Sequence, residues 1–177
     1  MNNPAIAQAR RGDLAAFEEV LRTHERQIFT LAYRLMGNVP DAQDAAQEVY
    51  LRLYRQIGSF DEEREFRPWL NRITANVCTD MLRKRRAMVP LDSVESSSAD
   101  RPDQALDMEQ RRELVNRALE SLPPKQRAAI VLRDVEGLST AEVAEVLAST
   151  ETTVRSQIST GRLRIRKMIE QFLRRKV

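Results

Sequence analysis

Residues 138–167 read LSTAEVAEVLASTETTVRSQISTGRLRIRK and contain the most specific structural pattern in the chain. The first part of this stretch predicts a short helix, because Ser139 and Glu142 have the Ser-x-x-Glu spacing of a capping box. Ser149 and Thr150 interrupt this helix, and Thr150 is suited to cap a second one. The stretch therefore predicts two helices joined by a short turn, which is the pattern of a helix-turn-helix.

The second of these helices is basic and rich in hydroxyl groups. Residues 152–167 contain five Arg or Lys side chains and no acid. Val154, Ile158 and Ile165 recur at helical spacing and should face the core. The opposite face is suited to a major groove, where Arg reads guanine edges and hydroxyl groups reach bases or phosphates. A basic helix alone could equally be a solvated surface, but the capped helix and turn before it favour DNA binding. The predicted DNA-facing residues are Arg155, Ser156, Ser159, Thr160, Arg162 and Arg166.

Apolar residues repeat at three and four positions through most of the chain, which predicts an all-α protein. Asp13 is suited to cap a first helix, and Gly37 and Asn38 are suited to end the second. In the third, Val49, Leu53 and Tyr54 are expected on one buried stripe. The helices expected before the opening stretch cover residues 14–21, 28–35, 41–57, 67–86, 114–119 and 128–135.

The net charge of +3 is unevenly distributed. Residues 89–110 carry one basic and six acidic side chains, whereas the blocks on either side are mildly basic. Basic blocks suggest an anionic partner, with nucleic acid the first candidate. The acidic segment is rich in Ser, Asp and Pro, as flexible linkers are. We therefore expect two small helical domains, residues 1–88 and 111–177, joined by a flexible acidic linker at residues 89–110.

The composition argues against several classes of protein. No apolar run is long enough to span a membrane, and the N-terminus lacks the apolar core of a signal peptide, so we expect a cytoplasmic chain without membrane insertion. Cys78 and His24 are the only thiol and imidazole, which makes a disulfide impossible and a metal site unexpected. With no nucleophile beside a base and no glycine-rich phosphate loop, we expect no enzyme activity, cofactor or small-molecule substrate.

Two features of the N-terminal half have both a functional and a structural interpretation. The helix at residues 41–57 carries a mixed-charge face with Leu51 exposed, which suits a protein partner, although a solvated face is the commoner meaning. Residues 66–86, FRPWLNRITANVCTDMLRKRR, combine aromatic and basic groups, as single-strand binding surfaces do. Helical periodicity nevertheless favours Phe66 and Trp69 as core residues.

Three segments together resemble the extracytoplasmic-function class of bacterial RNA polymerase sigma factors. They are DAQDAAQEVYLRLYRQIGSF (residues 41–60), the segment at residues 66–86, and LPPKQRAAIVLRDVEGLSTAEVAEVLASTETTVRSQI (residues 122–158). Their order and spacing also match the family. The resemblance implies an N-terminal sigma domain 2 and a C-terminal sigma domain 4, which contains the helix-turn-helix. It implies as partners core RNA polymerase (through its β′ clamp helices and β flap), promoter DNA and an anti-sigma factor.

The resemblance also implies roles for individual residues. In sigma domain 2, the loop at residues 60–65 and the next helix would bind the melted −10 strand, with Asn76 lining a pocket for a flipped base. Sigma domain 4 would read the −35 element as duplex. Ser159 and Thr160 stand where many relatives carry a bulky aromatic or basic residue, so the −35 sequence cannot be carried over. Asp80 stands where relatives often carry a polar or basic residue, so the resemblance implies no phosphate contact there. The implied −10 contacts are Phe60, Asp61, Arg72, Asn76, Arg83, Lys84, Arg85 and Arg86. The implied polymerase contacts are Asp44, Gln47, Glu48, Leu51, Arg52 and Arg55.

Two other functions are compatible with a helix-turn-helix or a sigma-like fold. An autonomous helix-turn-helix regulator would use residues 1–88 as a sensor or dimerisation domain, but it has no reason to carry the block at residues 41–86. A sigma-like adaptor that only titrates an anti-sigma factor should have lost its polymerase-facing residues, whereas Asp44, Glu48 and Arg52 are intact. A promoter-specificity subunit is therefore the leading hypothesis.

Overall fold

A computed structural model describes residues 4–88 and 108–174 of the chain. The chain divides into two compact units, Met1–Arg85 and Arg86–Val177. Every regular element within the described ranges is helical, which confirms the predicted all-α fold. Most of the predicted linker, residues 89–107, lies outside these ranges, so its boundaries remain a prediction.

The first unit is built around two long helices that pack against each other. These are helix α2 (Leu14–Met36) and helix α3 (Val39–Gln56). The inner face of α3 is formed by small and branched apolar side chains, among them Ala42, Ala45 and Val49, all without exposed area. The helices of this unit are α1 (Pro4–Arg10), α2 (Leu14–Met36), α3 (Val39–Gln56), a 3-10 turn (Ile57–Ser59) and α4 (Phe66–Met88).

Helix α2 is one continuous helix where the sequence predicted two. Its start is as expected, since Asp13 Oδ1 accepts a hydrogen bond of 3.1 Å from the amide of Ala16. Its end is also as expected, at Gly37 in the left-handed conformation (φ 83°). The polar residues 22–27 contain no glycine or proline. The gap in the apolar pattern therefore reflects polar side chains on a continuing helix, and the predicted break there is wrong.

Tyr54 is not buried, although the helical pattern predicts it on the buried stripe of α3. Its side chain is 57% exposed. Its ring lies edge-on against Phe17, with the ring centroids 5.2 Å apart. Val49 and Leu53 are buried as predicted. Tyr54 lies at the edge of the stripe, where one side of the ring packs and the other meets solvent.

The second unit contains the helix-turn-helix. Ser139 and Glu142 form the predicted capping box, with the Ser139 amide donating to Glu142 Oε2 at 2.9 Å. Thr150 Oγ1 accepts from the Thr153 amide at 3.2 Å, so it caps the second helix as predicted. Ile165, predicted as core, is only partly buried. The elements are α5 (Met108–Glu120), α6 (Pro124–Ile130), a π-helical turn (Val131–Val135), α7 (Thr140–Val146) and α8 (Glu151–Arg174).

Gly161 allows α8 to lie close to α6. A Cβ atom at this position would stand 2.5 Å from Cδ1 of Ile130 and 3.5 Å from Cβ of Gln126. Ile130 is itself buried, at 4% exposure, so its side chain has little room to move. The buried side chain of Ile130 therefore favours glycine at this position.

Replacing Gly161 by Ala should destabilise the second unit, although alanine is the better helix former. The gain in helix propensity is about 0.5–1 kcal/mol, whereas overpacking a buried contact costs about 1–3 kcal/mol. We expect the free energy of opening to fall by about 1 kcal/mol, the difference between these two effects. Amide hydrogen exchange of α6 and α8 measures this change. Tryptophan fluorescence does not, because the single tryptophan, Trp69, lies in the first unit.

The variant Ile130→Val provides the control, because valine lacks the Cδ1 atom that the new methyl group would meet. In the Ile130→Val background, Gly161→Ala should be neutral or stabilising. Unchanged or slower exchange in the Gly161→Ala single variant would contradict this preference for glycine.

Candidate nucleic-acid interface

The predicted DNA-facing side chains of α8 share one exposed face. Val154, Ile158 and Gly161 turn inward and are buried, which fixes the rotation of the helix. The opposite face is left to solvent. The exposed residues there are Arg155, Ser156, Ser159, Thr160, Arg162 and Arg166.

Part of this face forms an open, basic pocket together with the preceding elements. Of the predicted residues, Arg155, Ser159, Arg162 and Arg166 line it. The π-helical turn adds Arg133, and the first residue of α7 adds Thr140. We call this surface, formed by Arg133, Thr140, Arg155, Ser159, Arg162 and Arg166, the basic pocket. Sequence analysis missed Arg133 and Thr140, because the periodicity of α8 carries no information on the elements beside it.

Two arginines of the basic pocket are held by acids. Arg155 Nη2 lies 2.7 Å from Oε2 of Glu151, one turn earlier on α8. Arg162 makes a bidentate pair with Asp134, in which Nε donates to Oδ2 at 2.9 Å and Nη2 donates to Oδ1 at 2.6 Å. The hydrogen bonds and the charge of Asp134 raise the pKa of Arg162 above its usual value. The guanidinium of Arg162 therefore stays charged and has a fixed orientation.

In the first unit, the loop after the 3-10 turn rests on an aromatic cluster. The rings of Phe60, Phe66 and Trp69 lie with centroids 4.9–5.5 Å apart. Phe66 is 4% exposed, as its core interpretation predicted, whereas Trp69, predicted as core too, is only half-buried. Phe60, predicted as a −10 contact, is 1% exposed. Its ring has no accessible face for a base, so only its backbone could take part.

The loop itself is acidic and exposed. Asp61 Oδ1 accepts from the amide of Glu63 at 3.1 Å, and Asp61 Oδ2 lies 3.4 Å from Nε of Arg64. Arg10 of α1 donates a hydrogen bond to Glu62. The loop is therefore held both by its own contacts and by α1.

The residues predicted on α4 divide between two sides of the helix. At about 100° per residue, Arg72, Asn76 and Arg83 fall within a narrow arc. Asn76 is half-buried, and Arg83 is exposed and lies 3.4 Å from Asp80. Arg85 turns the other way and pairs with Asp41 of α3. Lys84 is exposed, whereas the side chain of Arg86 lies outside the described residues.

The predicted polymerase contacts share the outer face of α3. The exposed members are Asp44, Gln47, Leu51 and Arg55, and Leu51 is 53% exposed. Glu48 and Arg52 are half-buried. Arg52 reaches Glu48 at 3.7 Å and Asp80 of α4 at 3.3 Å. This face therefore combines an apolar centre with charges that are fixed to the neighbouring helix.

The single thiol and imidazole lie inside the first unit. Burial raises the pKa of the Cys78 thiol to about 12, so it stays protonated and unreactive at neutral pH. Burial also lowers the pKa of His24, whose ring packs against Phe66. Within the described residues, no three His, Cys, Asp or Glu side chains are grouped so as to hold a metal ion. No helix in the same ranges is long and apolar enough to cross a membrane.

Two family descriptions match the chain, and they match it in the order that the sequence predicted. Sigma-70 region 2 matches residues 20–88, and Sigma-70 region 4 matches residues 112–165. The chain is 34% identical to the ECF RNA polymerase sigma factor SigW of Bacillus subtilis (strain 168), over 94% of this chain and 96% of SigW.

Solved structures have a similar fold. CnrH, in complex with the cytosolic domain of CnrY, is 26% identical and matches with a TM-score of 0.59, over 94% of this chain and 96% of CnrH. The sigma factor RpoE of Bartonella quintana, in complex with the anti-sigma factor NepR, matches in fold with a TM-score of 0.61 at 24% identity. That match covers 87% of this chain and 96% of RpoE.

The resemblance inferred from residues 41–60, 66–86 and 122–158 is thereby confirmed. Both sigma regions are present, and the identity with SigW extends over nearly the full length of both chains. The chain belongs to the extracytoplasmic-function family of RNA polymerase sigma factors.

Proposed function

We propose that this chain is the promoter-specificity subunit of a transcribing polymerase and that it acts in the cytoplasm, bound to core RNA polymerase. The second unit reads the −35 element as duplex, and the first unit holds the −10 element as a melted strand. The observation that carries the proposal is the exposed face of α8, where hydroxyl side chains and arginines converge beside Arg133 of the π-helical turn. The chemistry of RNA synthesis belongs to the core enzyme.

The arrangement of α8 suits duplex recognition. A helix of this width fits the major groove, and residues near its N-terminus reach base edges. Arg155, Ser156 and Ser159 lie in that part of α8, so they read bases. Arg162 and Arg166 lie farther along, where they neutralise phosphates together with Arg133.

The arc of α4 that carries Arg72 and Asn76 suits a melted strand. A base that leaves the stack loses several contacts, and a polar pocket can replace them through hydrogen bonds to its edge. The half-buried Asn76 has an amide that both donates and accepts such bonds. Arg83 and Lys84 then hold nearby phosphates, and Arg86 is a further predicted contact. Asp61 would contact the same strand from the loop. Arg85 is engaged by Asp41, and Phe60 contributes only backbone.

The outer face of α3 suits docking to the polymerase β′ clamp helices. Leu51 provides apolar area at its centre, and Asp44, Gln47 and Arg55 surround it with polar groups, as in other protein interfaces. The pairs of Arg52 with Glu48 and Asp80 keep its guanidinium in place before the partner arrives. The β flap would be contacted by the second unit.

We further infer that an anti-sigma factor controls this chain. RpoE was crystallised with the anti-sigma factor NepR, and CnrH was solved with the cytosolic domain of CnrY. A partner of this kind would cover the α3 face and so exclude the polymerase. Competition between such a partner and core enzyme is the expected form of regulation.

Run-off transcription tests the proposal directly. The full-length chain and bacterial core polymerase are supplied with promoters randomised at −35 and −10. We expect specific transcripts and a defined preference at both elements. Arg155→Ala should weaken selection at −35, and Asn76→Ala at −10, each by about tenfold, the effect of losing one good base contact.

Arg164→Ala is the matched control, because Arg164 is exposed on α8 but does not line the basic pocket. It should leave base preference unchanged. Absence of transcripts, together with a shift of duplex DNA by the protein alone, would favour an autonomous regulator instead.

Leu51→Ser should weaken binding to core polymerase about tenfold, because it removes the apolar centre of the docking face. Leu14→Ser is the control, since Leu14 is 62% exposed on a different helix, α2. Fluorescence anisotropy of the labelled chain with core enzyme, at fixed salt, measures both affinities. Equal affinities for the two variants would place the docking surface elsewhere.

A further inference from the structure

Asp134 of the π-helical turn pairs with Arg162 of α8. Its side chain is 28% exposed, and that of Arg162 is 62% exposed. A bidentate pair with one well exposed partner contributes modestly to stability. That contribution alone does not explain an acid beside a basic surface. An acid close to a surface that binds phosphates also repels the DNA. Its position therefore calls for another explanation.

The geometry of the pair supplies that explanation. Both carboxylate oxygens are used, one by Nε and one by Nη2 of Arg162, so the plane of the guanidinium is fixed. The Nη1 donors take no part in this pair. Arg155 is held differently, through a single nitrogen, by an acid on its own helix. Of these two arginines, Arg162 is the one oriented by a group from a different element.

The π-helical turn is what brings Asp134 to α8. The amide of Glu136 donates to the carbonyl of Val131 at 3.0 Å, five residues earlier, which widens the turn after α6. Val131 and Leu132 remain buried, whereas Arg133 and Asp134 emerge on the side of the basic pocket. The same turn therefore supplies one cation to the pocket and orients another.

We propose that Asp134 is a positioning residue that fixes Arg162 for contact with a phosphate of the −35 duplex. The inference rests on the proposed function, because it requires that α8 binds duplex DNA. Without Asp134, Arg162 would sample many rotamers and would lose part of its contact. This loss outweighs the relief of repulsion that comes from removing the acid.

The two effects of Asp134 have opposite signs, so a double-mutant cycle separates them. The full-length chain bound to core polymerase is titrated with a labelled duplex that carries the −35 element selected in the transcription experiment. Asp134→Asn should weaken binding about threefold when Arg162 is present, since a positioned phosphate contact is lost. In the Arg162→Ala background, the same change should tighten binding about twofold, because only the relief of repulsion remains.

Glu170→Gln is the charge control. Glu170 is exposed on α8, about two turns beyond Arg162. It should tighten binding slightly in both backgrounds. Arg162→Ala should also reduce the slope of log K against log salt concentration by about 1, the value for one phosphate contact. The reduction should be the same for all −35 sequences.

Other outcomes of the cycle would overturn the inference. Tighter binding by Asp134→Asn in both backgrounds would mean that the acid only repels DNA. Weaker binding in both would mean that Asp134 supports the fold and not Arg162. If the wild-type complex binds the selected and a scrambled duplex equally, the proposed function itself fails, and that result is distinct from the other two.

Discussion

The close approach of α6 and α8 at Gly161 determines what the second unit presents to a partner. Gly161, Val154 and Ile158 form one stripe, and burying that stripe leaves a single rotation for α8. The same approach brings the turn after α6 alongside α8. The basic pocket and the pair between Asp134 and Arg162 both lie where this turn meets α8.

In the first unit, alanine residues allow the close packing of two helices that glycine allows in the second. Ala42, Ala45 and Ala46 let α3 lie close to α2, and the residues that alternate with them form the outer face. Arg52 then links α3 to α4 through Asp80. In both units, the buried side of a helix fixes the direction of its functional side. Packing and the exposure of the candidate binding residues are thus two consequences of one pattern in the sequence.

Short-range sequence patterns predict the helix caps and the exposed faces of the helices. The spacing of Ser139 and Glu142 predicted a capping box, and Val154 and Ile158 predicted which side of α8 faces solvent. The exposure of Leu51 followed from the stripe on the other side of α3. These features depend on residues within two turns of one another, where helical geometry decides the outcome.

What could not be predicted depends on contacts between distant segments. The burial of Phe60 follows from rings that come together in three dimensions, and helical spacing does not describe the loop that carries it. The polar residues 22–27 interrupt the apolar pattern, which predicted a break between two helices, but the helix continues through them. Arg133 and Asp134 reach the basic pocket through a π-helical turn, for which the sequence contains no recognised pattern.

We propose that one unit acts on melted DNA and the other on duplex DNA. Permanganate footprinting distinguishes the two states, because the reagent modifies thymines that are unstacked. With core polymerase and this chain together on a selected promoter, we expect reactive thymines within the −10 element and protected duplex at −35. Reactivity should be absent when either protein is omitted. A promoter that is bound at −35 but shows no reactive thymine at −10 would refute this division of roles.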